Sequence, residues 1–359
     1  MKIIPDREKC RRARIPEMLF MVICLTVTGV ANLQGQSGRK TAEPSGVATG
    51  SADQEGEVLR IRTEEVLLPV SVRNDAGAPV GDLNQEKFVV FENGVRQQIT
   101  SFNRRRVPAN IVLLLDASGS VFSQMRFIRE AAKRFIQGLE REDKVCVVQF
   151  SDRVELLQDW TPAAEISQLE RSVDWRYHPG LRTTFYDGLY LAAQEQLSKV
   201  EGRRIIILLT DGLDTAEKQK ASFGDALNAV RKADASVYVV SLTAYLRAQL
   251  EEKVGTKKIR KLFSGYDPRE IAYYLGLIER SEKLLEGLAM QTGGRMFLPI
   301  KDEELAPAYS AIAEELRTQY IITYQPKPRA SIGEYRRIRV LVLPGDYEVA
   351  TREGYTGRG

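Results

Sequence analysis

Three short runs, far apart in the sequence, carry oxygen-bearing side chains at positions where a fold can gather them. In IVLLLDASGSV an apolar run, Ile111 to Asp116, is followed by Ser118 and Ser120. In IIILLTDGLDT a second wholly apolar run ends in Thr210, Asp211 and Gly212. The third run, Leu181 to Gly188, holds Thr183, Thr184 and Asp187. Side chains at the C-terminal end of a buried parallel strand face the crevice where α/β sheets bind ligands. Alternating hydroxyls in a tight, glycine-containing loop aim several oxygens at one point. If the two apolar runs are neighbouring strands, Asp211 stands beside Asp116. Each of these residues alone also reads as a helix cap, because Ser and Asp are good N-caps: Ser120 or Ser123 for one helix, Thr183 or Thr184 for the next. Asp116, Ser118, Ser120, Thr183 and Asp211 together, at converging sheet positions, favour a cation instead.

Other chemistries lack their parts. The single histidine, His178, lies in a Tyr-His-Pro-Gly loop before Thr183. A serine hydrolase needs a histidine base beside its nucleophile, but no G-x-S-x-G elbow is present and both serines have a better use as ligands. No G-x-x-x-x-G-K-[ST] run cradles phosphate. Asp116 has no second carboxylate two residues on, as a phosphoaspartyl hydrolase would need. No catalytic residue is assigned.

The elements that must position these residues follow from periodicity. Ile111–Asp116, Val145–Phe150, Ile205–Leu209 and Val237–Leu242 are continuous apolar runs, as expected of parallel strands buried on both faces. Val154–Leu157 reads as a short edge strand and Arg295–Leu298 as another strand. Helices are expected at 123–139, 163–174, 184–199, 222–233 and 302–317, with a long charged helical region over 246–291. Strands alternating with helices imply a doubly wound, mostly parallel α/β sheet. Tyr245, Tyr266, Tyr273 and Tyr274 fall in the charged region, and Trp160, Trp175 and Tyr177 in what read as earlier loops. Core packing and an exposed contact surface are both open readings for them.

On either side the pattern is β. VLRIRT, VLLPVSVRN and the hairpin FVVFENG–VRQQITSF, turning at Glu92-Asn93-Gly94, occupy 58–105. YIITYQP, YRRIRVLVL and YEVATREGY occupy 318–359. Neither set has enough strands to close alone. The expectation is that they pair into one β-sandwich, with the α/β domain of 106–317 inserted between them.

Residues 1–31 read as an export signal: a charged start, the apolar run Met18–Ala31, and small residues Gly29 and Ala31 at the spacing a signal peptidase accepts. The alternative is an uncleaved N-terminal anchor, in which case the chain keeps a membrane segment. Residues 32–57 are Gly- and Ser-rich and read as a flexible linker. The first 31 residues hold six basic and three acidic side chains, so the formal charge of +4 falls to about +1 on their removal. No electrostatic footprint for nucleic acid remains, and the run Lys257-Lys258-Ile259-Arg260-Lys261 reads as a solvated helix face. Cys146 is then the only cysteine left, inside the apolar run KVCVVQF. It reads as a small buried hydrophobe with no intramolecular disulfide partner.

The D-x-S-x-S run closing the first α/β strand, the Thr before a helix and the T-D-G closing a later strand resemble the von Willebrand factor A domain. The resemblance covers about residues 105–317, with the motifs in that family's order. The flanking β segments are also similar to those of exported bacterial proteins related to it. The resemblance implies a metal-ion-dependent adhesion site. Ser118 and Ser120 would ligate through their hydroxyls and Thr183 would be the third-loop ligand, at the family's spacing to Gly188-Leu189, with Thr184 as the alternative. Asp116 and Asp211 would bind directly or through water. Asp187 and Asp214 receive no ligand role. Such hard oxygen donors suit Mg²⁺ or Mn²⁺, whereas zinc would want His or Cys. The resemblance also implies an open coordination position that takes an Asp or Glu from a partner protein. A cell-envelope scaffold whose metal only holds loops is the competing function, and a hydrolase a weaker one.

Overall fold

The computed structural model describes residues 65–357 apart from 105–106, 217–218 and 256–267. The expected export signal, the linker, the strand VLRIRT, the basic run 257–261 and Tyr266 lie outside the described residues.

A six-stranded sheet carries the motifs. Its strands are β5 (Ala109–Asp116), β6 (Lys144–Phe150), β7 (Val154–Pro162), β8 (Arg203–Thr210), β9 (Ala235–Ser241) and β10 (Met296–Phe297), in the order β10-β9-β8-β5-β6-β7. All neighbours run parallel except β6 and β7. The central strands show the side-chain alternation of a sheet covered twice. Ile111, Leu113 and Leu115 enter one core with α1 (Met125–Gln137), α2 (Ile166–Arg176) and the last helix. Val112 and Leu114 enter the other, with α3 (Phe185–Leu191) and α4 (Phe223–Lys232). Burying each such side chain contributes roughly 1.5–3 kcal/mol, which is why the middle of β5 and of β8 is wholly apolar, with polar residues only at the two ends.

The chain crosses from β5 to β6 on one side and returns to β8 on the other, so β5 lies at a topological switch point. The charged region resolves into α5 (Thr243–Gly255) and α6 (Pro268–Gln291), and α7 (Leu305–Thr318) closes the domain. The helix expected over 184–199 is α3 continued by a π turn, Ala192–Gln196, and a 3₁₀ turn, Leu197–Lys199. The edge strand expected at 154–157 is longer. It runs to Pro162, so Trp160 lies on a strand, and Trp175 lies on α2 rather than in a loop.

The flanking segments form two four-stranded antiparallel sheets sharing one apolar core. The strands are β1 (Val66–Arg73), β2 (Phe88–Glu92), β3 (Val95–Gln97), β4 (Ile99–Asn103), β11 (Tyr320–Tyr324), β12 (Tyr335–Val342), β13 (Glu348–Ala350) and β14 (Gly354–Thr356). One sheet is ordered β13-β1-β11-β4 and the other β14-β12-β2-β3. Each sheet takes strands from both ends of the chain, so the α/β domain is inserted in a β-sandwich. The turn Asn93-Gly94 has both residues at positive φ, 47° and 81°, as a two-residue hairpin requires.

Two expected strands each divide between the sheets. VRQQITSF splits into β3 and β4, and YEVATREGY into β13 and β14. Buried Gln97 marks the first crossing: its amide donates to the Lys327 carbonyl at 3.0 Å and accepts from the Lys327 N–H at 2.9 Å.

Candidate metal centre

The register of β5 against β8 pairs Leu115 with Leu209. Asp116 therefore comes level with Thr210, and Asp211 is the first residue past the strand. The Thr210 hydroxyl donates to Asp116 Oδ2 at 2.7 Å, and the Ser118 N–H donates to Asp116 Oδ1 at 2.9 Å. The Ser118 and Ser120 hydroxyls lie 3.0 Å apart. The Leu213 N–H donates to Asp211 Oδ1 at 3.0 Å, while Asp211 Oδ2 is buried with no hydrogen-bond partner. Asp116 and Asp211 are both fully buried.

Two buried carboxylates without a cationic side chain against them are costly, and their acidities record it. Burial, and then the charge of Asp211, push the Asp116 carboxyl up to about 7, against hydrogen bonds from Ser118 and Thr210. Burial likewise raises Asp211, opposed by the nearby Ser120 hydroxyl and by the Leu213 N–H. A fixed positive charge here would lower both.

The Thr183 loop reaches the same place. The Gly180 N–H donates to the Ala117 carbonyl at 2.8 Å, and a Cβ on Gly119 would come within 3.2 Å of the Leu181 carbonyl. Thr183 is held by a reciprocal pair with the loop after Asp211. Its N–H donates to Thr215 Oγ1 at 2.9 Å, and the Thr215 N–H donates to its carbonyl at 3.0 Å. Thr183 and Thr184 are both buried, and the Thr184 hydroxyl has no partner.

Helix capping does not account for these side chains. Ser118 and Thr184 occupy N-cap positions, yet neither makes a side-chain cap hydrogen bond. Ser222 shows what a capping serine does here: its hydroxyl accepts from the Asp225 N–H at 3.2 Å in a full capping box. Among the described residues no group of three or more His, Cys, Asp or Glu side chains is placed to hold a metal. A cation at this face would draw on hydroxyls, the donors that Ser118, Ser120 and the threonines supply. The orphaned Asp211 Oδ2, the unpartnered Thr184 hydroxyl and the like-charged pair fit a small divalent ion.

Asp187 and Asp214 serve the backbone. Asp187 accepts from the Lys220 and Ala221 N–H groups, and Asp214 from those of Tyr186 and Ala216. His178 is half out of the site: its Nδ1 meets the Arg176 carbonyl and its Nε2 lies 3.4 Å from Glu155, so it does not bond to either serine.

Several supporting residues carry no sequence signal. The Tyr177 hydroxyl donates to the Asp116 carbonyl at 2.5 Å from full burial. Asp152 accepts from the Leu181 and Arg182 N–H groups. Ser281, on α6, donates to the Asp211 carbonyl at 2.5 Å. Thr210 could have been found, because parallel pairing of the two apolar runs sets it opposite Asp116.

Residues 110–274 match the von Willebrand factor type A domain. An uncharacterized protein of Synechocystis is 32% identical over 140 residues, 38% of this chain and 31% of that protein. The chain thus spans about a third of the length of this curated relative. A von Willebrand factor type A structure from Catenulispora acidiphila is 12% identical, covering 81% of this chain and 73% of that one, with a TM-score of 0.43. The mussel byssus proximal thread matrix protein 1, with a zinc-occupied MIDAS motif, is 18% identical over 62% of this chain and 49% of that one, also at 0.43.

Proposed function

We propose that the von Willebrand factor type A domain of this chain is an exported protein-binding module, in which one divalent cation, Mg²⁺ or Mn²⁺, captures an acidic side chain of a partner protein. Asp116, Ser118, Ser120, Thr183 and Asp211 would hold the ion, with Thr184 as the alternative to Thr183. The observation that carries this reading is the buried Asp116–Asp211 pair, with Asp211 Oδ2 unpartnered and the Ser118 and Thr184 hydroxyls making no cap hydrogen bond. When bound, the cation would supply Lewis acidity and an open coordination position for a carboxylate.

The protein's own part is to orient the donors and keep water from the carboxylates. Thr210 and the Ser118 N–H fix the Asp116 carboxylate, and the Leu213 N–H fixes that of Asp211. The competing scaffold reading gives the ion only a loop-holding role. Yet the Thr183–Thr215 pair and Asp152 already tie the loops by direct hydrogen bonds, which favours a partner-facing ion. No catalytic residue is proposed. Export rests on the sequence of residues 1–31. No described helix is long and apolar enough to cross a membrane.

Isothermal titration with MgCl₂ or MnCl₂ tests the site. One ion per chain is expected, lost in Ser118→Ala and in Asp211→Ala while circular dichroism is unchanged. Undiminished binding in these variants overturns the ligand assignment.

A further inference from the structure

Two large apolar side chains stand in solvent on the loops that carry the donors. Phe122, two residues after Ser120, is 54% exposed, and Leu181, two before Thr183, is 64% exposed. Single exposed apolar residues are ordinary on protein surfaces. These two belong to loops in direct contact, since the Leu181 carbonyl packs against Gly119. Neither loop is loosely held. The Leu181 N–H is bound by Asp152 at 3.0 Å, and Val121, next to Phe122, is buried.

Asp152 directs its two oxygens to the Leu181 and Arg182 backbone. A ligand reaching the cation would therefore meet apolar surface on its way to the metal.

We infer that the partner presents its carboxylate within a short segment having an apolar residue next to the acidic one, seated on Phe122 and Leu181. This rests on the metal-binding reading above and adds to it what chooses among acidic partners. Covering one such side chain is worth roughly tenfold in affinity.

The probe is a displayed library of random heptapeptides with a fixed central Glu, panned on the full chain in Mg²⁺ and eluted with EDTA. Apolar residues beside the Glu should be enriched several-fold over the input on the wild type. The enrichment should vanish on the Phe122→Ser, Leu181→Ser double variant, while Mg²⁺ still raises the Tm of both proteins. A flat composition on the wild type, or equal enrichment on the double variant, overturns the inference and leaves metal binding standing. If Mg²⁺ raises neither Tm, the metal reading fails and this one with it.

Discussion

The buried Asp116–Asp211 pair makes a prediction with a definite sign. In the folded chain Asp116 is raised from 3.8 to about 7, by burial first and by Asp211 second. Between these values the folded state binds more protons than the unfolded one, so stability falls as pH rises. The contribution is fully present below about pH 4 and lost as pH passes through 7. Three units correspond to about 4 kcal/mol, and Asp211, raised by the same burial, acts in the same direction. A divalent cation bound to the pair would reverse the effect, returning about 2.7 kcal/mol at a hundred times its Kd. It should do so more at pH 8 than at pH 5, where protons compete for the same oxygens.

Asp211→Asn separates the causes. Asn keeps an Oδ1 for the Leu213 N–H but removes one charge from the pair. In EDTA at pH 8 the variant should be more stable than the wild type, and it should show no response to Mg²⁺. Urea denaturation at pH 5 and pH 8, with EDTA or with MgCl₂, reads all four conditions. A variant less stable than wild type in EDTA at pH 8, or one that Mg²⁺ still stabilises, would refute the electrostatic reasoning.

Four other outcomes are expected. Tyr177→Phe deletes the buried donor to the Asp116 carbonyl and should cost about 1–3 kcal/mol in urea denaturation, with weaker Mg²⁺ binding by titration. Gly212 has φ +70° and faces Ser281 and Leu285 with no room for a methyl group, so Gly212→Ala should lower the Tm and weaken Mg²⁺ binding together; an unchanged Tm would contradict the packing. Glu315→Ala removes the buried partner of Arg73 at 2.7 Å and leaves it only the exposed Glu348 at 2.8 Å, so it should cost about 1–3 kcal/mol, measured as a lower urea midpoint. Burial raises the Cys146 thiol to about 12, so a thiol reagent at pH 8 should label it only after unfolding; labelling of the native protein at the rate of a free thiol would place it at the surface.

Much of this site was legible because its strands are simple. Ile111–Asp116 and Ile205–Leu209 are apolar on both faces, which only a doubly covered sheet satisfies, and pairing them in parallel brings Asp116 and Asp211 to one edge. The sandwich crossings were hidden for the opposite reason. VRQQITSF keeps a strand-like composition straight through Gln97, and the crossing is set by a backbone 230 residues away, at Lys327. Tyr177, Asp152 and Ser281 were illegible for a related cause. Each acts through hydrogen bonds to backbone groups distant in sequence, and such bonds leave no periodicity. The aromatics divided by burial. Tyr177 is 1% exposed and Trp175 81%, a difference that local sequence does not encode.

The strands that end in the donors begin against the sandwich. Arg203 opens β8 and donates to the Leu316 carbonyl at 3.0 Å and to Gln319, whose amide nitrogen reaches Ser71 on β1. Asp234, just before β9, pairs with Arg352 between β13 and β14. Glu315 on α7 joins Tyr238 of β9 to Arg73 of β1. The chain enters the α/β domain after β4 and leaves it into β11, and these two strands are hydrogen-bonded neighbours. The sandwich therefore grips the N-terminal edge of the parallel strands, while Asp116 and Asp211 lie at the C-terminal edge. Seven or eight residues of β5 or β8 separate the two, at about 3.3 Å each, so the joint lies roughly 25 Å from the donors. Over that distance a change at Glu315 should unsettle the joint without reshaping the site. Folded Glu315→Ala should accordingly bind Mg²⁺ within about twofold of the wild type, well under the 1.4 kcal/mol of a tenfold change. A larger loss, read by titration in buffer where the variant is folded, would show that the sandwich helps to set the donor geometry.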